Sequence, residues 1–265
     1  MSDVKEHVMY RTAIGKATSD DVLVRGYSLM DMVGKVSLPG ILSLMVKGEL
    51  PSKAEEKMLD AILVACSEHG VRPPSVQAAV QVASGGVQFQ ACVAAGILAL
   101  GDSHGGAVEN IAEVFENARK RMKEENISIE AMAREILSTA KAQKKRIPGY
   151  GHPVHAQDPR TVKLMGMARE LGIYGDICAL SEKMAELSSE ISGRALPLNV
   201  DGAVGALIAE MGFDWRIGKG IFLLGRVFSI AAHVLEDKQR EKPMSHLPAA
   251  GQWVYDGPEK RPFPG

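Results

Sequence analysis

Apolar residues recur along most of the chain at spacings of three and four, the period of an amphipathic α-helix. After Gly106, for example, Val108, Ile111, Phe115 and Ala118 form one apolar stripe, with charged residues on the opposite face. The alternating pattern of a half-buried strand is nearly absent, and only four Thr occur in 265 residues. The pattern therefore predicts an all-α fold.

Two helix starts have clear local signals. Ser52 and Glu55 have the spacing of a capping box before an apolar stripe, in a helix expected to end near His69 and Gly70. Asp158 followed by Pro159 suits an N-cap and first helical position, which places Arg160 in the first turn. Further helices are predicted over 128–141, 176–190, 203–211 and 218–240.

Composition narrows the class of protein. With 46% apolar and 24% charged residues and a formal charge of -1, the chain has neither the bias of a disordered segment nor the basic field of a nucleic-acid binder. Apolar runs such as Ala91–Leu100 reach about half of the roughly 20 residues that span a bilayer, so no membrane partner is expected. The start, Met1–Glu6, is unlike a signal peptide, and Cys66, Cys92 and Cys178 are too scattered for a disulfide framework. We expect a cytoplasmic protein.

Three glycine-bearing loops, at 101–106, 148–153 and 199–202, each hold an ionisable residue. The first matches the G-x-S-x-G nucleophile elbow with Ser103 as nucleophile, and Asp201 and His233 follow in the order of a hydrolase triad. That elbow needs a parallel sheet, which a helical pattern does not offer. A plain turn exposing His104 is the other interpretation.

Each remaining candidate also has two interpretations. His152 and His155 could form a metal pair, but the proline between them disfavours a helical face and no third ligand is evident, so we predict no metal site. Asp201 alone would most simply cap a helix. Arg226 lies in a nearly all-apolar helix, where a cation needs either an ion-pair partner or an anionic ligand.

Taken in order, these motifs resemble those of the citrate synthase superfamily, over the chain from about residue 12 onward. The motifs that carry the resemblance are Arg25-Gly26-Tyr27, Lys47-Gly48-Glu49-Leu50-Pro51, Glu68-His69-Gly70, His104-Gly105-Gly106-Ala107, Pro148-Gly149-Tyr150-Gly151-His152, Asp158-Pro159-Arg160, Asn199-Val200-Asp201, Arg226 and Glu241-Lys242-Pro243. Their neighbourhoods around His104, His152 and Asp201 are the most specific parts.

The resemblance implies an all-α homodimer, or a higher homo-oligomer, in which a small domain closes over the ligand. The large domain would comprise 1–105 and 203–265, and the small domain 106–202. The family joins, or in reverse separates, an acyl-CoA and a 2-oxo acid such as oxaloacetate. Coenzyme A would enter as part of the substrate, with no tightly bound cofactor and with any dependence on a divalent ion left open.

The same resemblance assigns roles to three residues. His104 would hydrogen-bond the thioester oxygen as the enol forms, Asp201 would exchange the proton at the adjacent carbon, and His152 would exchange the proton of the carbonyl or tertiary hydroxyl. A carbon acid beside a thioester is weak, so its ionisation needs both a placed base and an electrophile.

The resemblance also implies how the ligand is held. Arg160 and Arg226 would clamp carboxylates, with His69 hydrogen-bonding alongside. Lys242 stands where the family commonly has an arginine that reaches across from the partner subunit. The adenine of coenzyme A would be gripped by the backbone of Pro148, Gly149, Tyr150 and Gly151.

Two departures from typical citrate synthases bear on direction. The chain is shorter and lacks much of their N-terminal helical portion, and Pro153 follows His152. In both features the chain resembles the compact citryl-CoA lyase branch of the family, which is also similar to the C-terminal module of ATP-citrate lyase. The leading hypothesis is therefore a lyase that cleaves citryl-CoA or a related 3-hydroxyacyl-CoA. Citrate or methylcitrate synthase, a Ser103-dependent hydrolase and a catalytically silent dimerising subunit are the alternatives.

Overall fold

The computed structural model describes residues 10–151, 158–246, 252, 254–257 and 259–262. Within them the chain is mostly helical, as predicted. The helices are α1 (Leu29–Met32), α2 (Leu38–Lys47), α3 (Lys53–Ser67), α4 (Pro74–Ser84), α5 (Phe89–Leu98), α6 (Ala107–Glu124), α7 (Ile129–Ala142), α8 (Pro159–Glu170), α9 (Asp176–Ser192), α10 (Val200–Glu210) and α11 (Gly218–Arg240). Three short strands, β1 (Gly15–Ala17), β2 (Val22–Val24) and β3 (Tyr27–Ser28), precede them, and a 3-10 turn covers Trp215–Ile217.

The strands form a small antiparallel sheet in the order β1-β2-β3, which the helical periodicity did not predict. Leu23 of β2 lies opposite Ser28 of β3. Arg25 (φ 51°) and Gly26 (φ 90°) between them are both left-handed, as a two-residue hairpin turn that follows the strand twist requires. Strands of two or three residues are too short for an alternating pattern to be recognised.

Both predicted helix starts are confirmed. The Ser52 hydroxyl accepts from the Glu55 N–H at 3.2 Å, and the Glu55 carboxylate accepts from the Ser52 N–H at 2.8 Å. At α8, the Asp158 carboxylate accepts from the Arg160 N–H at 3.0 Å, and Pro159 is the first helical residue. These starts were predictable because the capping partners lie within three residues of one another.

Contacts divide the chain into two compact units. The first combines Met1–Glu68 with Gly101–Arg226, and the second combines His69–Leu100 with Val227–Gly265. The predicted large and small domains are parts expected to move relative to each other, which these contacts do not test. That division stays a prediction.

Helix α10 is the central element of the first unit. Every residue from Gly202 to Ala209 is buried. The helix packs against α6, α8 and α9, and Gly205 lies so close to Ile111 of α6 that no side chain fits between them. A helix surrounded in this way holds its first turn in a fixed place.

The second unit is built from α4, α5 and the C-terminal part of α11. Its core cluster consists of Ala79, Ala83, Cys92, Ile230 and Val234. Gly96 lets α5 approach α4, since a Cβ there would stand 2.7 Å from the Ser75 carbonyl oxygen.

One helical stretch among the described residues, Trp215–Arg240, is long and apolar enough to cross a membrane by length and composition. The uninterrupted apolar runs of the sequence did not indicate this helix as a candidate span. In this structure 44% of its most apolar window is buried inside the protein, and the core helix of a folded domain passes the same test. The expected absence of a membrane partner stays a prediction.

Candidate active site

The first turn of α10 carries the carboxyl group that was predicted to exchange the carbon-bound proton. Asn199 is the helix cap: its Oδ1 accepts from the N–H of Asp201 at 3.0 Å and of Gly202 at 3.2 Å. The interpretation of Asp201 as the cap is therefore wrong, because Asp201 is the second residue of the helix, two positions after the cap. Burial raises the pKa of Asp201, and the charges of Arg160 and Arg226 oppose that rise. A carboxyl with a raised pKa is better suited to exchange a proton near neutral pH.

Arg160 is held beside α10 by the cap residue of its own helix. Its Nε and Nη2 donate to the two carboxylate oxygens of Asp158, at 3.1 and 2.9 Å. The same carboxylate accepts from the Val200 N–H at 3.3 Å, so one buried side chain joins the starts of α8 and α10. Burial acts to raise the pKa of Asp158, but the hydrogen bonds and charge of Arg160 outweigh it and lower that pKa. Asp158 is therefore a carboxylate that fixes Arg160, and these bonds do not use Nη1 of the guanidinium.

Arg226 is a cation inside α11, with 2% of its surface exposed. Its Nε donates at 3.0 Å to the Cys66 carbonyl in the last turn of α3, where helical carbonyls lack helical partners. Its Nη1 is buried and has no hydrogen-bond partner among the described residues. An unpaired buried donor costs about 1–3 kcal/mol. The charges of Glu68 and Asp201 also act on this guanidinium. Both interpretations of Arg226, an ion-pair partner and an anionic ligand, therefore stay predictions, and Nη1 is the donor that a ligand would satisfy.

A glycine lets α11 approach α3 closely enough for this contact. A Cβ on Gly225 would stand 2.7 Å from the Leu63 carbonyl oxygen and 2.9 Å from the Cβ of Cys66. Any larger residue would separate the two helices and lengthen the bond from Arg226. Burial also raises the pKa of the Cys66 thiol to about 12, so this cysteine is neutral at physiological pH.

His104 lies in a tight turn ahead of α6. Gly101 and His104 exchange two backbone hydrogen bonds of 2.9 Å. Gly106 closes the turn, since a Cβ there would stand 2.6 Å from the Cα of Asp102. An ion pair of 3.1 Å between Asp102 and Lys219 ties the turn to the start of α11.

Phe222 joins His104 to Arg226. The imidazole packs edge-on against the phenyl ring, with centroids 6.4 Å apart and planes at 81°. The guanidinium carbon of Arg226 stands 5.1 Å from the centroid of the same ring. His104 and Arg226 therefore contact one aromatic ring, while Arg226 and Asp201 interact electrostatically.

The segment Pro148–Gly151, called here the glycine loop, is bound to the start of α10. The Gly149 carbonyl accepts from the Asn199 N–H at 3.0 Å, and the Gly151 carbonyl accepts from Asn199 Nδ2 at 2.9 Å. Gly149 has a φ of 76°, and a Cβ on it would stand 2.5 Å from the Cα of Gly202. Two facing glycines thus let the loop backbone rest directly on the helix that carries Asp201.

Tyr150 directs its hydroxyl into the protein. The phenol donates to the Ser181 carbonyl at 2.8 Å, and burial raises its pKa well above the ordinary value. Recognition of a ligand by the glycine loop would therefore use the loop backbone rather than this hydroxyl.

A cavity of about 1090 Å³ opens beside the glycine loop. It is large enough for a nucleotide-sized ligand. The five basic side chains that line it are Lys141, Lys144, Lys145, Arg146 and Arg194. Such a lining suits a ligand that carries several phosphates.

Some predicted site residues are not placed in this arrangement. His152 and His155 lie outside the described residues, so the proton transfer by His152 and the expected absence of a metal pair both stay predictions. His69 and Lys242 are exposed and belong to the second unit, and their predicted contacts also stay predictions. Among the described residues no group of three or more His, Cys, Asp or Glu could hold a metal ion.

The nucleophile elbow is not formed. Ser103 is exposed in a turn that follows a helix rather than a strand. The sheet present in the described part of the chain is antiparallel and lies near the N-terminus. The match to G-x-S-x-G is therefore a coincidence of sequence, and Ser103 has no sheet to present it.

Three residues with a role in this geometry were missed from the sequence: Asp158 as the partner of Arg160, Asn199 and Phe222. Asp158 was recognised only as a helix cap. Asn199 lies two residues before the predicted Asp201, and Asp201 rather than Asn199 was interpreted as the helix cap. Phe222 resembles an ordinary core residue of an apolar helix, and no local signal reveals its two polar neighbours.

The chain is mostly helical, its cavity is lined by basic side chains, and the charges of Arg160 and Arg226 act on the partly buried carboxyl of Asp201, a combination suited to an anionic small molecule. A family model described as "Citrate synthase, C-terminal domain" matches residues 44–244. The chain therefore belongs to the citrate synthase family.

Individual relatives refine this picture. The solved structure of citryl-CoA lyase from Hydrogenobacter thermophilus is 41% identical, with a TM-score of 0.88 over 97% of this chain and 98% of that one. A citrate synthase from Heyndrickxia coagulans is 28% identical over 75% of this chain and 52% of its own length. An ATP-citrate synthase beta chain from Oryza sativa is 22% identical over 86% of this chain and 37% of its own. The chain thus spans between about a third and a half of these two curated relatives.

Proposed function

We propose that this protein cleaves citryl-CoA, or a closely related 3-hydroxyacyl-CoA, into acetyl-CoA and oxaloacetate. The observation that carries the proposal is the buried Nη1 of Arg226, which has no partner among the described residues and lies beside Asp201 and Arg160. A carboxylate-bearing substrate would satisfy that donor. The similarity to a citryl-CoA lyase along nearly the whole chain supports the choice of substrate.

The two halves of the substrate have separate places. The nucleotide of coenzyme A would occupy the basic cavity, with its adenine against the backbone of the glycine loop. The carboxylates of the citryl group would receive hydrogen bonds from Arg226 and Arg160. Because Asp158 engages two nitrogens of Arg160, that residue would offer Nη1 rather than its whole fork.

The proposed reaction conserves protons. His152 accepts the proton of the tertiary hydroxyl, the carbon–carbon bond breaks, and its electron pair moves into the thioester group. His104 donates a hydrogen bond to the thioester oxygen as the enol forms. Asp201, in its protonated form, then donates to the terminal carbon and so produces acetyl-CoA. The raised pKa of Asp201 supports this step, because it keeps more of the carboxyl protonated.

The remaining parts of the proposal concern assembly and location. The protein would act as a homodimer or higher homo-oligomer in the cytoplasm, with His69 and a partner's Lys242 adding to the carboxylate site. Coenzyme A would be part of the substrate, and no other cofactor would be tightly bound.

A citrate synthase is the alternative, and the similarity to the Heyndrickxia coagulans enzyme supports it. A synthase also hydrolyses the thioester, whereas a lyase leaves it intact. Release of a free thiol from acetyl-CoA plus oxaloacetate therefore distinguishes the two.

The test is incubation with citryl-CoA, with oxaloacetate, acetyl-CoA and free thiol measured in parallel. The proposal expects equal amounts of oxaloacetate and acetyl-CoA and no thiol. Thiol with citrate, or rapid thiol release from acetyl-CoA plus oxaloacetate, would contradict it.

Asp201→Asn should lose about 100- to 10,000-fold in rate. Asp176→Asn is the matched control, since Asp176 also lies in the first turn of a helix but is exposed at the start of α9.

A further inference from the structure

Asn199 bonds to two parts of the site at once. Its Oδ1 accepts from the N–H groups of Asp201 and Gly202, which is the ordinary task of a helix cap. Its Nδ2 donates to the Gly151 carbonyl at 2.9 Å, and its backbone N–H donates to the Gly149 carbonyl at 3.0 Å. The last two bonds are not needed to begin a helix.

These bonds join segments that are distant in sequence. On one side is the glycine loop, whose backbone lines the basic cavity; on the other is the turn that holds Asp201. The contact between Gly149 and Gly202 brings the same two segments together through the backbone. A Cβ on either glycine would push the two segments apart. The close approach of the glycines and the bonds of Asn199 are thus two separate observations of the same junction between the glycine loop and α10.

We propose that Asn199 is a positioning residue that holds the glycine loop and the first turn of α10 together. It thereby fixes the position of the Asp201 carboxyl relative to coenzyme A bound at the loop. Asn199 acts through Asp201 and the loop and exchanges no proton itself. The inference rests on the proposed function for its effect on turnover, but not for its effect on the local structure.

Serine at this position separates the two tasks of Asn199. Ser and Asn are about equally good helix caps, but the serine hydroxyl is too short to replace the Nδ2 bond to the loop. Asn199→Ser therefore keeps the cap and removes the tie, whereas Asn199→Ala removes both. Asn199→Asp, another good cap without the amide donor, serves if the serine variant does not fold. Ser128→Ala is the control for the loss of a cap alone, since Ser128 caps α7 through the Ala131 N–H.

The kinetic test uses citryl-CoA cleavage. Losing one hydrogen bond of about 1 kcal/mol corresponds to about fivefold, and a misplacement of about 1 Å near the reacting atoms reaches about 100-fold. We expect Asn199→Ser to lower kcat by about 5- to 100-fold and Ser128→Ala to change it by less than about twofold. In an Asp201→Asn background the serine substitution should cost less than about twofold, because its effect passes through Asp201. Full kcat in Asn199→Ser, or additive losses, would overturn the proposal.

Amide hydrogen exchange without ligand tests the junction independently of activity. Asn199→Ser should speed exchange in both 148–151 and 200–203, and Ser128→Ala only in 129–132. Faster exchange confined to α10 would show a cap alone and overturn the positioning role. If the wild-type protein does not cleave citryl-CoA, the proposed function fails, while the exchange pattern still decides whether Asn199 joins the two segments.

Discussion

Replacing Arg226 with methionine tests whether this buried cation serves the ligand or the fold. Methionine matches the length of the aliphatic stem and removes the charge, the bond to the Cys66 carbonyl and the Nη1 donor, which has no partner in the described part of the chain. If Arg226 binds a substrate carboxylate, the substitution should impair cleavage strongly and change the free energy of unfolding little. If the residue is mainly structural, the substitution should lower the free energy of unfolding strongly and change cleavage by the folded protein little.

The expected magnitudes follow from the contacts. A hydrogen bond to a charged group contributes about 1.5–3 kcal/mol, so the loss of the carboxylate contact should lower kcat/KM by about 10- to 150-fold. For stability, losing the bond from this charged group to Cys66 costs about 1.5–3 kcal/mol, while removing a buried charge whose burial lowers its own pKa offsets this loss. The net change should stay within about 1 kcal/mol, or about 2–4 °C in Tm.

The assay pairs citryl-CoA cleavage with thermal unfolding followed by circular dichroism. Arg134→Met is the control, because Arg134 forms exposed ion pairs with Glu130 and Glu190, which contribute about 0–1 kcal/mol and lie on the surface. A drop of more than about 10 °C in Tm with kcat/KM retained by the folded fraction would refute the role of Arg226 as a ligand donor.

Three further outcomes are expected. Cleavage needs Asp201 protonated, so the kcat of cleavage should fall as the pH rises through the pKa of Asp201, which burial raises. Proton exchange from acetyl-CoA needs the carboxylate form and should rise over the same pH range. The same pH dependence of kcat in Asp201→Asn would contradict this. Ser103→Ala should keep the rate of citryl-CoA cleavage within about twofold, because the hydroxyl is exposed in a turn. Loss of activity in this variant would instead support the Ser103-dependent hydrolase. Lys145→Gln should raise KM about two- to fivefold at low salt and less at high salt, with kcat unchanged, as for a solvent-exposed contact to phosphate; a salt-independent KM would argue against coenzyme A in the cavity.

The helical class and the helix starts were predictable because their causes are local. The capping box at Ser52 and the Asp158–Pro159 start depend on residues within one turn. The sheet at β1–β3 was not predictable, since its strands have too few residues to show a period. The start of α10 was placed three residues late, because Asn199, rather than a residue nearer the apolar stripe, caps the helix.

The candidate site was only partly predictable. The resemblance to a family singled out His104, Asp201, Arg160 and Arg226, and the structure brings them into a common electrostatic and aromatic neighbourhood. Their catalytic and binding roles stay predictions. What the sequence could not supply are contacts that exist only after folding, such as the ring of Phe222 between two polar groups.

The most direct test of the proposed site is a crystal structure of the protein with citrate and coenzyme A bound. We expect a citrate carboxylate within hydrogen-bond distance of Arg226 Nη1 and close to Asp201, with the nucleotide in the cavity of about 1090 Å³ and its adenine against the glycine loop. Citrate bound elsewhere, with Arg226 Nη1 paired to a protein group, would contradict it.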